Sequence, residues 1–354
     1  MARTSLPSSN KKKVSNTKLS HKDKTNQPTG LWSKLHNPYI ALAVAYLIWG
    51  VAAPISKLTL GEIGPFTLLF FRSLITSLIL LPLILKIKYT FTLHEQFFVF
   101  LAGFFQVFLH IILIYIALPF IPSINLPIIG SMSPFIFVLF SRLFLQEKTS
   151  ISKYYGMIIG LLGVLCITVL PVLFPPSGDI LGLSTEAQAT LRFLGLENAG
   201  LTSAHLMWLG NGLLVLGVVV GAIGPLFVKR LRHFPGQLLT FWQFALVACF
   251  SLPLALWESP SLYIPQITIN GALGVLYISV LSSVVAYSLY NNGLQELKAA
   301  DVGLFSYLAP ISALLVGIPL LHEYPDLWFI IGASLVLFGV WVAERKTRRI
   351  FAKS

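Results

Sequence analysis

Ten long apolar runs constrain this chain more than any other feature of its sequence. Each run approaches the length of about 20 residues that an α-helix needs to cross a bilayer. None shows the alternation of apolar and polar residues that is typical of a membrane β-strand. The runs cover residues 38–60, 65–85, 97–118, 126–144, 154–174, 206–228, 237–257, 269–290, 302–321 and 325–343. The predicted fold class is therefore an all-α integral membrane protein with ten transmembrane helices.

The overall composition agrees with lipid as the main solvent. Charged residues make up 11% of the chain and hydrophobic residues 56%, with a mean hydropathy of +0.80. Soluble domains carry about 25% charged residues. The exception is the segment 1–36, rich in Ser, Asn, Thr and Lys, which has too few apolar residues to fold alone. We predict that it is a disordered basic tail.

The positive charges indicate how the helices are oriented. The chain has a net charge of +12. If the N-terminus is cytoplasmic, every Lys and Arg except Lys57, Arg72 and Arg192 falls in a cytoplasmic segment or at its border. This asymmetry follows the positive-inside rule, so we expect a multi-pass protein of the cytoplasmic membrane with both termini inside. The same distribution argues against nucleic acid as a partner, since no recognition motif accompanies the charge.

Two halves of the sequence share anchor residues at two nearly equal offsets. Gly50 and Pro54 recur as Gly221 and Pro225. The sequence separation between the members of these two pairs is the first offset. Five further pairs share a slightly larger second offset, namely Asn125 with Asp301, Pro134 with Pro310, Glu147 with Glu323, Gly156 with Gly332 and Gly163 with Gly339. Each half holds five predicted spans, and an odd number of spans reverses the orientation of the second half. The sequence therefore predicts two inverted five-helix repeats, an architecture of many secondary transporters.

These repeats set the expected domain boundaries. The first repeat covers residues 38–174 and the second covers 206–343, and a basic cytoplasmic tail follows at 344–354. The linker at 175–205 is expected on the outer face. Within it, "STEAQATLRFLGLENAG" predicts a short helix capped by Ser184.

The repeated glycine and proline pairs have two open interpretations. Proline removes a backbone hydrogen bond from a helix and frees a carbonyl group. Gly50, Pro54, Gly221 and Pro225 could therefore form hinges or gates, or simple kinks that improve packing. The glycines near residues 156–163 have the small-residue spacing of closely packed helices, and packing is their expected role.

Arg72 is the sharpest candidate for a binding residue. It lies seven residues into the second predicted span, about 10 Å below the outer surface. A lone charge at this depth is costly unless it faces a cavity or a partner. Arg72 could bind a substrate carboxylate or phosphate through two parallel hydrogen bonds. Alternatively, it could extend toward the outer loop with Glu62 or bond to backbone carbonyls.

Other polar residues in the runs have weaker signals. His110 lies at a depth close to that of Arg72 and could take up a proton, or form a neutral hydrogen bond between helices. Lys57 lies near the outer end of its run, so we expect its amine to extend to the interface. Glu147 and Glu323 end the fourth and ninth runs and are expected to face water. Asp301 opens the ninth run, where it is expected to cap a helix.

Several aromatic and polar residues toward the membrane interior are candidates for lining a substrate pocket, in which placed polar groups give specificity. The complete set of predicted substrate-binding residues is Trp49, Arg72, His110, Tyr115, Ser131, Trp242, Gln243, Tyr287 and Tyr307. Gln243 is the counterpart of Arg72 at the first offset. Motifs for a bound metal, for nucleotide hydrolysis and for catalysis are missing from the sequence, so no cofactor, metal or enzyme activity is expected.

Together these motifs resemble the EamA-type transporters of the drug/metabolite transporter superfamily. In that family each repeat opens with a Trp-Gly motif, here "IWGVAAPISK", and an arginine follows aromatic residues, here "FFRSLI". Each repeat closes with a proline helix, a glutamate and a glycine helix, here beginning at "SMSPF" and "YLAPI". The resemblance covers about residues 38–343.

The resemblance implies ten helices, a central cavity between the halves and movement of small metabolites, often export of amino acids or related solutes. The expected partners are a small-molecule substrate and the lipid bilayer, and homodimerisation is left open. Two other interpretations are kept. One is a membrane-embedded enzyme that modifies lipids, and the other is a membrane sensor that does not transport.

Overall fold

The structure is a computed structural model that describes residues 37–86, 91–145, 151–174, 185–196, 199–259, 262, 267–297, 302–303 and 305–351. Within these ranges the regular structure is helical and no strand is present. The helices are α1 Pro38–Leu60, α2 Pro65–Ile84, α3 Leu93–Phe120, α4 Asn125–Gly130, α5 Ser133–Leu145, α6 Ile151–Leu173, α7 Thr185–Phe193, α8 Ser203–Gly221, α9 Gly224–Arg230, α10 Gly236–Glu258, α11 Ile269–Glu296, α12 Leu308–Leu321 and α13 Leu327–Phe351. The predicted tail 1–36, Ser184, Glu147 and Asp301 lie outside the described residues.

Seven helical segments of the described chain are long and apolar enough to cross a membrane. They are α1, α2, α3, residues 154–171 of α6, residues 205–230 across α8 and α9, α10, and α11. Two shorter apolar helices lie at Leu308–Leu321 and Leu327–Gly339. The fourth predicted span is divided by a turn at Ser131 into α4 and α5, neither of which is long enough by itself. The chain is thus a multi-pass helical membrane protein, and ten crossings stay a prediction.

The distribution of side chains is that of a protein in lipid. Large apolar residues are exposed on the outside, for example Leu315 at 72% and Ile158 at 58%. Polar residues such as Thr76 and Ser251 are fully buried, and their hydroxyl groups donate to backbone carbonyls. Lipid offers no hydrogen bonds, so polar groups must find partners inside the protein.

Local sequence explains where several helices begin. Asn37 caps α1 by accepting a hydrogen bond from the Tyr39 N–H at 3.0 Å. Thr92 and Glu95 form a capping box at the start of α3. Thr268 caps α11, and proline in the first turn of α1 and α2 leaves no helical hydrogen bond unmade.

Two long helices change geometry near their middle. Residues Gly103–Leu109 of α3 and Tyr277–Val285 of α11 are π-helical. Such wider turns shift the side chains that follow around the helix and often occur at functional sites. Both segments contribute residues to the cavity described below.

Glycines allow α6 and α13 to cross at close range. A Cβ atom built on Gly163 would lie 2.5 Å from the Gly332 carbonyl oxygen, and one on Gly339 would lie 2.6 Å from the Gly156 carbonyl oxygen. Any side chain at these positions would force the helices apart. This confirms the packing role predicted for these glycines.

The two glycine and proline pairs adopt different local structures. Helix α1 continues through Pro54 to its end at Leu60, whereas α8 ends at Gly221 and Pro225 lies in the first turn of α9. A Cβ atom on Gly50 would collide with Ser312 Oγ of α12. The repeated motif therefore does not produce a repeated kink.

The short helix predicted in the linker is confirmed as α7. Its Ala187 and Leu191 are buried in a small apolar cluster with Phe120 at the end of α3 and Leu206 in α8. These contacts hold α7 against the ends of α3 and α8.

Candidate functional site

A cavity of about 220 Å3 lies among helices from both halves of the chain. Its described wall includes residues of α1 to α5, α8, α9, α11 and α12. The polar and aromatic members of this wall are Tyr46, Trp49, Ser56, Arg72, Gln106, His110, Tyr115, Ser133, Ser282, Tyr287, Tyr290 and Ser306. The size and mixed lining suit a small solute.

Arg72 is a buried cation in this wall, with 5% of its surface exposed. Its Nε donates to Ser283 Oγ at 2.6 Å, and its Nη2 donates to Ser282 Oγ at 3.3 Å, so α11 holds the guanidinium from one side. Its Nη1 donates to the Tyr115 hydroxyl of α3 at 2.9 Å. The guanidinium is thus oriented by three neutral hydroxyl groups.

Carboxylates do not neutralise Arg72 within the described part of the chain. Glu62, which the sequence offered as the nearest acid, instead accepts hydrogen bonds from the Thr268 N–H and hydroxyl, both at 2.7 Å. The idea that Arg72 extends toward Glu62 is therefore wrong, because the start of α11 holds that carboxylate. Among the same described residues, no His, Cys, Asp and Glu side chains form a group of three or more that could hold a metal ion.

His110 lies in the cavity wall and joins two helices. Its Nδ1 lies 2.7 Å from the Gly217 carbonyl oxygen of α8. Because a carbonyl only accepts, Nδ1 carries a proton, and Nε2 of a neutral ring is then an acceptor. The ring also fills the space beside Gly221, where a Cβ atom would collide with it. The predicted interhelical hydrogen bond is confirmed, and proton uptake stays a prediction.

Aromatic rings from α1 and α11 form another part of the wall. The centroid of the Trp49 ring lies 5.0 Å from those of both Tyr287 and Tyr290, and 5.4 Å from that of Tyr46. The Trp49 Nε1 donates to the Ser282 carbonyl oxygen at 3.0 Å. These edge-on and tilted contacts and the hydrogen bond fix the rings relative to Arg72, which also bonds Ser282.

Gln243 lies behind the cavity wall and is not part of it. It is 1% exposed, and its Oε1 accepts from Asn291 Nδ2 at 3.0 Å. Asn291 Nδ2 also donates to Thr240 Oγ1 at 2.9 Å. Gly103 of α3 approaches the Gln243 backbone closely, and Gln106 of α3 supplies the lining amide.

Three further predicted residues do not line the cavity. Ser131 is fully buried at the turn after α4, where its hydroxyl donates to the Ile128 carbonyl oxygen. Trp242 is 39% exposed, because it stands one position before Gln243 and so faces outward from α10. Tyr307 lies at the turn before α12 and packs against the apolar core.

The remaining predicted residues are brought together. Trp49, Arg72, His110, Tyr115 and Tyr287 all line the cavity. So do two of the four predicted hinge residues, Gly221 and Pro225. The other two do not, because Gly50 packs against α12 and Pro54 is buried within α1.

Sequence reasoning missed Tyr46, Ser56 and Gln106, and also Ser282 and Tyr290 of α11. A signal for them existed. Tyr46, Ser56 and Trp49 recur at helical spacing along one face of α1, and Gln106 stands one helical turn before His110. A residue that lines a pocket from a helix thus predicts further lining residues three and four positions away on the same helix.

An ion pair lies at the end of α1 outside the cavity. Lys57 Nζ donates to Glu323 Oε1 and to the Ile121 carbonyl oxygen, both at 2.7 Å. Glu323 Oε2 also accepts from the Ser123 N–H at 2.7 Å and hydroxyl at 2.6 Å. The side chains of the pair are 11% and 12% exposed. The expectations that Lys57 extends to the interface and that Glu323 faces water are wrong, because each satisfies the other.

The chain is similar to known transporters over nearly its whole length. The family model of the EamA-like transporter family matches it twice, at residues 37–169 and 208–344. The uncharacterized transporter YetK of Bacillus subtilis is 24% identical over 323 residues, covering 90% of each chain. An uncharacterized transporter of Archaeoglobus fulgidus is 25% identical over 323 residues, covering 89% of this chain and 98% of the relative.

Two narrower comparisons complete these similarities. The biotin transporter of Escherichia coli is 27% identical over 145 residues, covering 39% of this chain and 47% of the relative. A solved crystal structure matches 88% of this chain and 98% of its own chain with a TM-score of 0.58, at 18% sequence identity. The latter likeness concerns the fold alone.

Proposed function

The chain belongs to the EamA-like transporter family, and from this premise we propose that it exports a small metabolite across the cytoplasmic membrane. The proposed solutes are amino acids or related carboxylates, moved as a secondary transporter without a cofactor. The observation that carries the proposal is Arg72, which is buried in the wall of a cavity formed by both halves and has no carboxylate partner among the described residues. A lone intramembrane charge in such a position is a site for an anionic group of the solute.

The proposed architecture is a pair of inverted five-helix repeats. The family model matches once in each half. Helices α3 and α11 both begin at a threonine cap, and these caps, Thr92 and Thr268, are related by the second offset. Their π-helical segments end at Leu109 and Val285, which the same second offset relates. Equal local structure at a constant offset supports a duplication.

Contacts between the halves support the inverted relation. Glu62, in the loop before α2, bonds Thr268 at the start of α11. His233, the counterpart of Glu62 at the first offset, bonds Glu95 in the first turn of α3, with Nε2 and Oε1 2.8 Å apart. Each half thus contacts the corresponding helix start of the other half, as a twofold axis in the membrane plane requires.

Transport by alternating access needs the two halves to move against each other. The ion pair between Lys57 of α1 and Glu323 after α12 joins the halves at the predicted outer end. In our proposal this pair separates when the cavity opens outward. Gly50, Pro54, Gly221 and Pro225 are the proposed positions at which α1, α8 and α9 adjust.

The test is counterflow in proteoliposomes that contain the full chain. Vesicles are loaded with pools of amino acids, of other carboxylates including biotin, of nucleosides and of sugar phosphates, and uptake of each labelled solute is measured. We expect saturable counterflow of a carboxylate, reduced about 100-fold in Arg72→Gln. Arg230→Gln is the matched control, since this arginine is exposed and lies over the Phe98 ring outside the cavity.

Failure of this test has a defined meaning. If folded protein gives no counterflow with any pool, the transport proposal is wrong, and the sensor or lipid-enzyme interpretation replaces it. If uptake occurs and follows a pH gradient, His110→Asn tests proton coupling, because asparagine retains a donor for the Gly217 carbonyl. An unchanged gradient dependence in that variant would exclude His110 as the proton carrier.

The proposed orientation has its own experiment. Cysteine substitutions at two exposed positions, Leu201 in the linker and His94 at the start of α3, are treated in intact cells with a membrane-impermeant maleimide. Leu201→Cys should react and His94→Cys should react only after lysis. The reverse pattern would place the termini outside.

A further inference from the structure

The charges that face the cavity have one sign. Arg72 and His110 are the basic residues of the described wall, and no Asp or Glu is among its described members. Several described glutamates lie at helix ends instead, as Glu62 does at Thr268. Glu258 likewise accepts from backbone N–H groups in the first turn of α2. Among the described lining residues, a solute in the cavity therefore meets positive charge without a matching negative group.

The guanidinium of Arg72 has capacity left for a ligand. Arginine carries five N–H donors. Three hydrogen bonds are made within the described chain, all to the hydroxyl groups of Ser282, Ser283 and Tyr115. Hydroxyl groups orient the cation but do not neutralise it. A carboxylate would supply both the missing charge and acceptors for the remaining N–H groups.

The rest of the described wall offers an ammonium group no anionic partner. The tyrosine and tryptophan rings attract cations, but Arg72 already lies over the Tyr287 ring, 5.8 Å from its centroid. A second cation there would be repelled by the first. Gln106 contributes an amide without charge, which can bond a hydroxyl or amide of the solute equally well.

We infer that the cavity takes a monocarboxylate of net negative charge with an uncharged body, and discriminates against the zwitterion and the amine of the same shape. The inference rests on the proposed function and narrows its solute class from amino acids to their deaminated counterparts and similar acids. Discrimination arises because an ammonium group would be desolvated beside Arg72 without compensation.

The test compares ligands with one body and different charges. Binding of para-hydroxyphenylpropionate, tyrosine and tyramine to the full chain in detergent is measured by calorimetry. An aliphatic set of isocaproate, leucine and isoamylamine repeats the comparison with a smaller body. In at least one set, we expect the acid to bind about tenfold or more tightly than the amino acid, with the amine weakest. Arg72→Gln should remove the preference, and Arg230→Gln should retain it.

Three results would overturn the inference. The first is an amino acid that binds as tightly as its matched acid, and the second is no binding of either acid at millimolar concentration. The third concerns Asp301, which lies outside the described residues but next to Val302 in the cavity wall. If Asp301→Asn abolishes tight amino-acid binding, an ammonium site exists after all.

These outcomes are separate from those of the transport test. Counterflow of amino acids without binding of the matched acids leaves the transport proposal standing and removes the inference. Selective binding of an acid without any counterflow would remove the transport proposal and leave the inference about ligand charge standing.

Discussion

The polar clusters around Arg72 and around Gln243 occupy corresponding places in the two halves, but only the first carries charge. The first offset relates Arg72 to Gln243, and the second offset relates their partners Tyr115 and Asn291. In the first cluster Arg72 donates to the Tyr115 hydroxyl at 2.9 Å. In the second, Asn291 donates to Gln243 Oε1 at 3.0 Å. The first hydrogen bond joins α2 to α3, and the second joins α10 to α11.

This difference separates packing from ligand binding. A neutral amide at Gln243 suffices to join α10 to α11, so a charge is not needed for helix pairing at this position. Arg72 lines the cavity, whereas Gln243 is 1% exposed and does not. We therefore propose that the charge of Arg72 serves the cavity. A buried cation is costly in lipid, and a ligand anion would offset that cost.

The ion pair at the end of α1 has the same asymmetry. Lys57 pairs with Glu323, whereas the counterpart of Lys57 at the first offset is Val228, which is fully buried. An apolar residue can pack the second half at this position. The ion pair of Lys57 with Glu323 is thus a contact at one end of the molecule whose strength depends on the charges of both side chains.

The largest expected effect is the difference between substitutions at Arg72 and at Gln243. Arg72→Gln should weaken binding of the transported solute about 100-fold, because a charged partner is lost from a desolvated site. Gln243→Leu should lower the melting temperature but change the affinity of folded protein less than about threefold. Calorimetry and thermal unfolding in detergent measure the two quantities. Equal affinity losses in both variants would show that the second cluster also contacts the solute.

Removing the outer ion pair should have the next largest effect. Glu323→Gln leaves Lys57 buried with a neutral partner and should cost about 2 kcal/mol of stability, somewhat less than a fully buried pair. The double variant Lys57→Met, Glu323→Gln should recover much of the loss. Chemical denaturation of the purified protein gives these free energies. Additive losses in the double variant would contradict a direct interaction.

Tyr115→Phe sharpens the role of the hydroxyl beside Arg72. Loss of one hydrogen bond that orients the guanidinium should weaken solute binding about fivefold, equivalent to about 1 kcal/mol. The matched variant Asn291→Leu should affect stability alone, since Asn291 bonds only behind the cavity wall. An affinity loss for Asn291→Leu larger than for Tyr115→Phe would reverse the assignment.

The smallest effect is expected at Trp242. Because its side chain faces outward, Trp242→Phe should change affinity less than about twofold and stability by less than about 0.5 kcal/mol. Trp49→Phe, in the cavity wall, should weaken binding more, since it removes the hydrogen bond to the Ser282 carbonyl oxygen. Indistinguishable affinities for these two variants would mean that the aromatic wall does not contact the solute.

Sequence by itself determined the helical membrane class and singled out the most informative residues. Long apolar runs have few stable alternatives in lipid, because only helices and closed barrels satisfy their backbone internally, and these runs lack the alternation of a membrane strand. The energetic penalty on buried charge made Arg72 and His110 conspicuous without any structure. Small-residue spacing likewise predicted close helix packing at the glycines of α6, and cap and helix-forming residues predicted α7.

Only the tertiary structure decided which candidates meet. Trp49 lines the cavity and Trp242 faces outward, yet both are tryptophans within apolar runs. Lys57 finds Glu323 at a separation of 266 residues, and Arg72 finds Ser283 at a separation of 211. Local periodicity specifies the faces of one helix, but the rotation of that helix against its neighbours depends on contacts distant in the chain. Partner choice is therefore a property of the packed bundle, because desolvated groups take whichever partners the packing brings within hydrogen-bond reach.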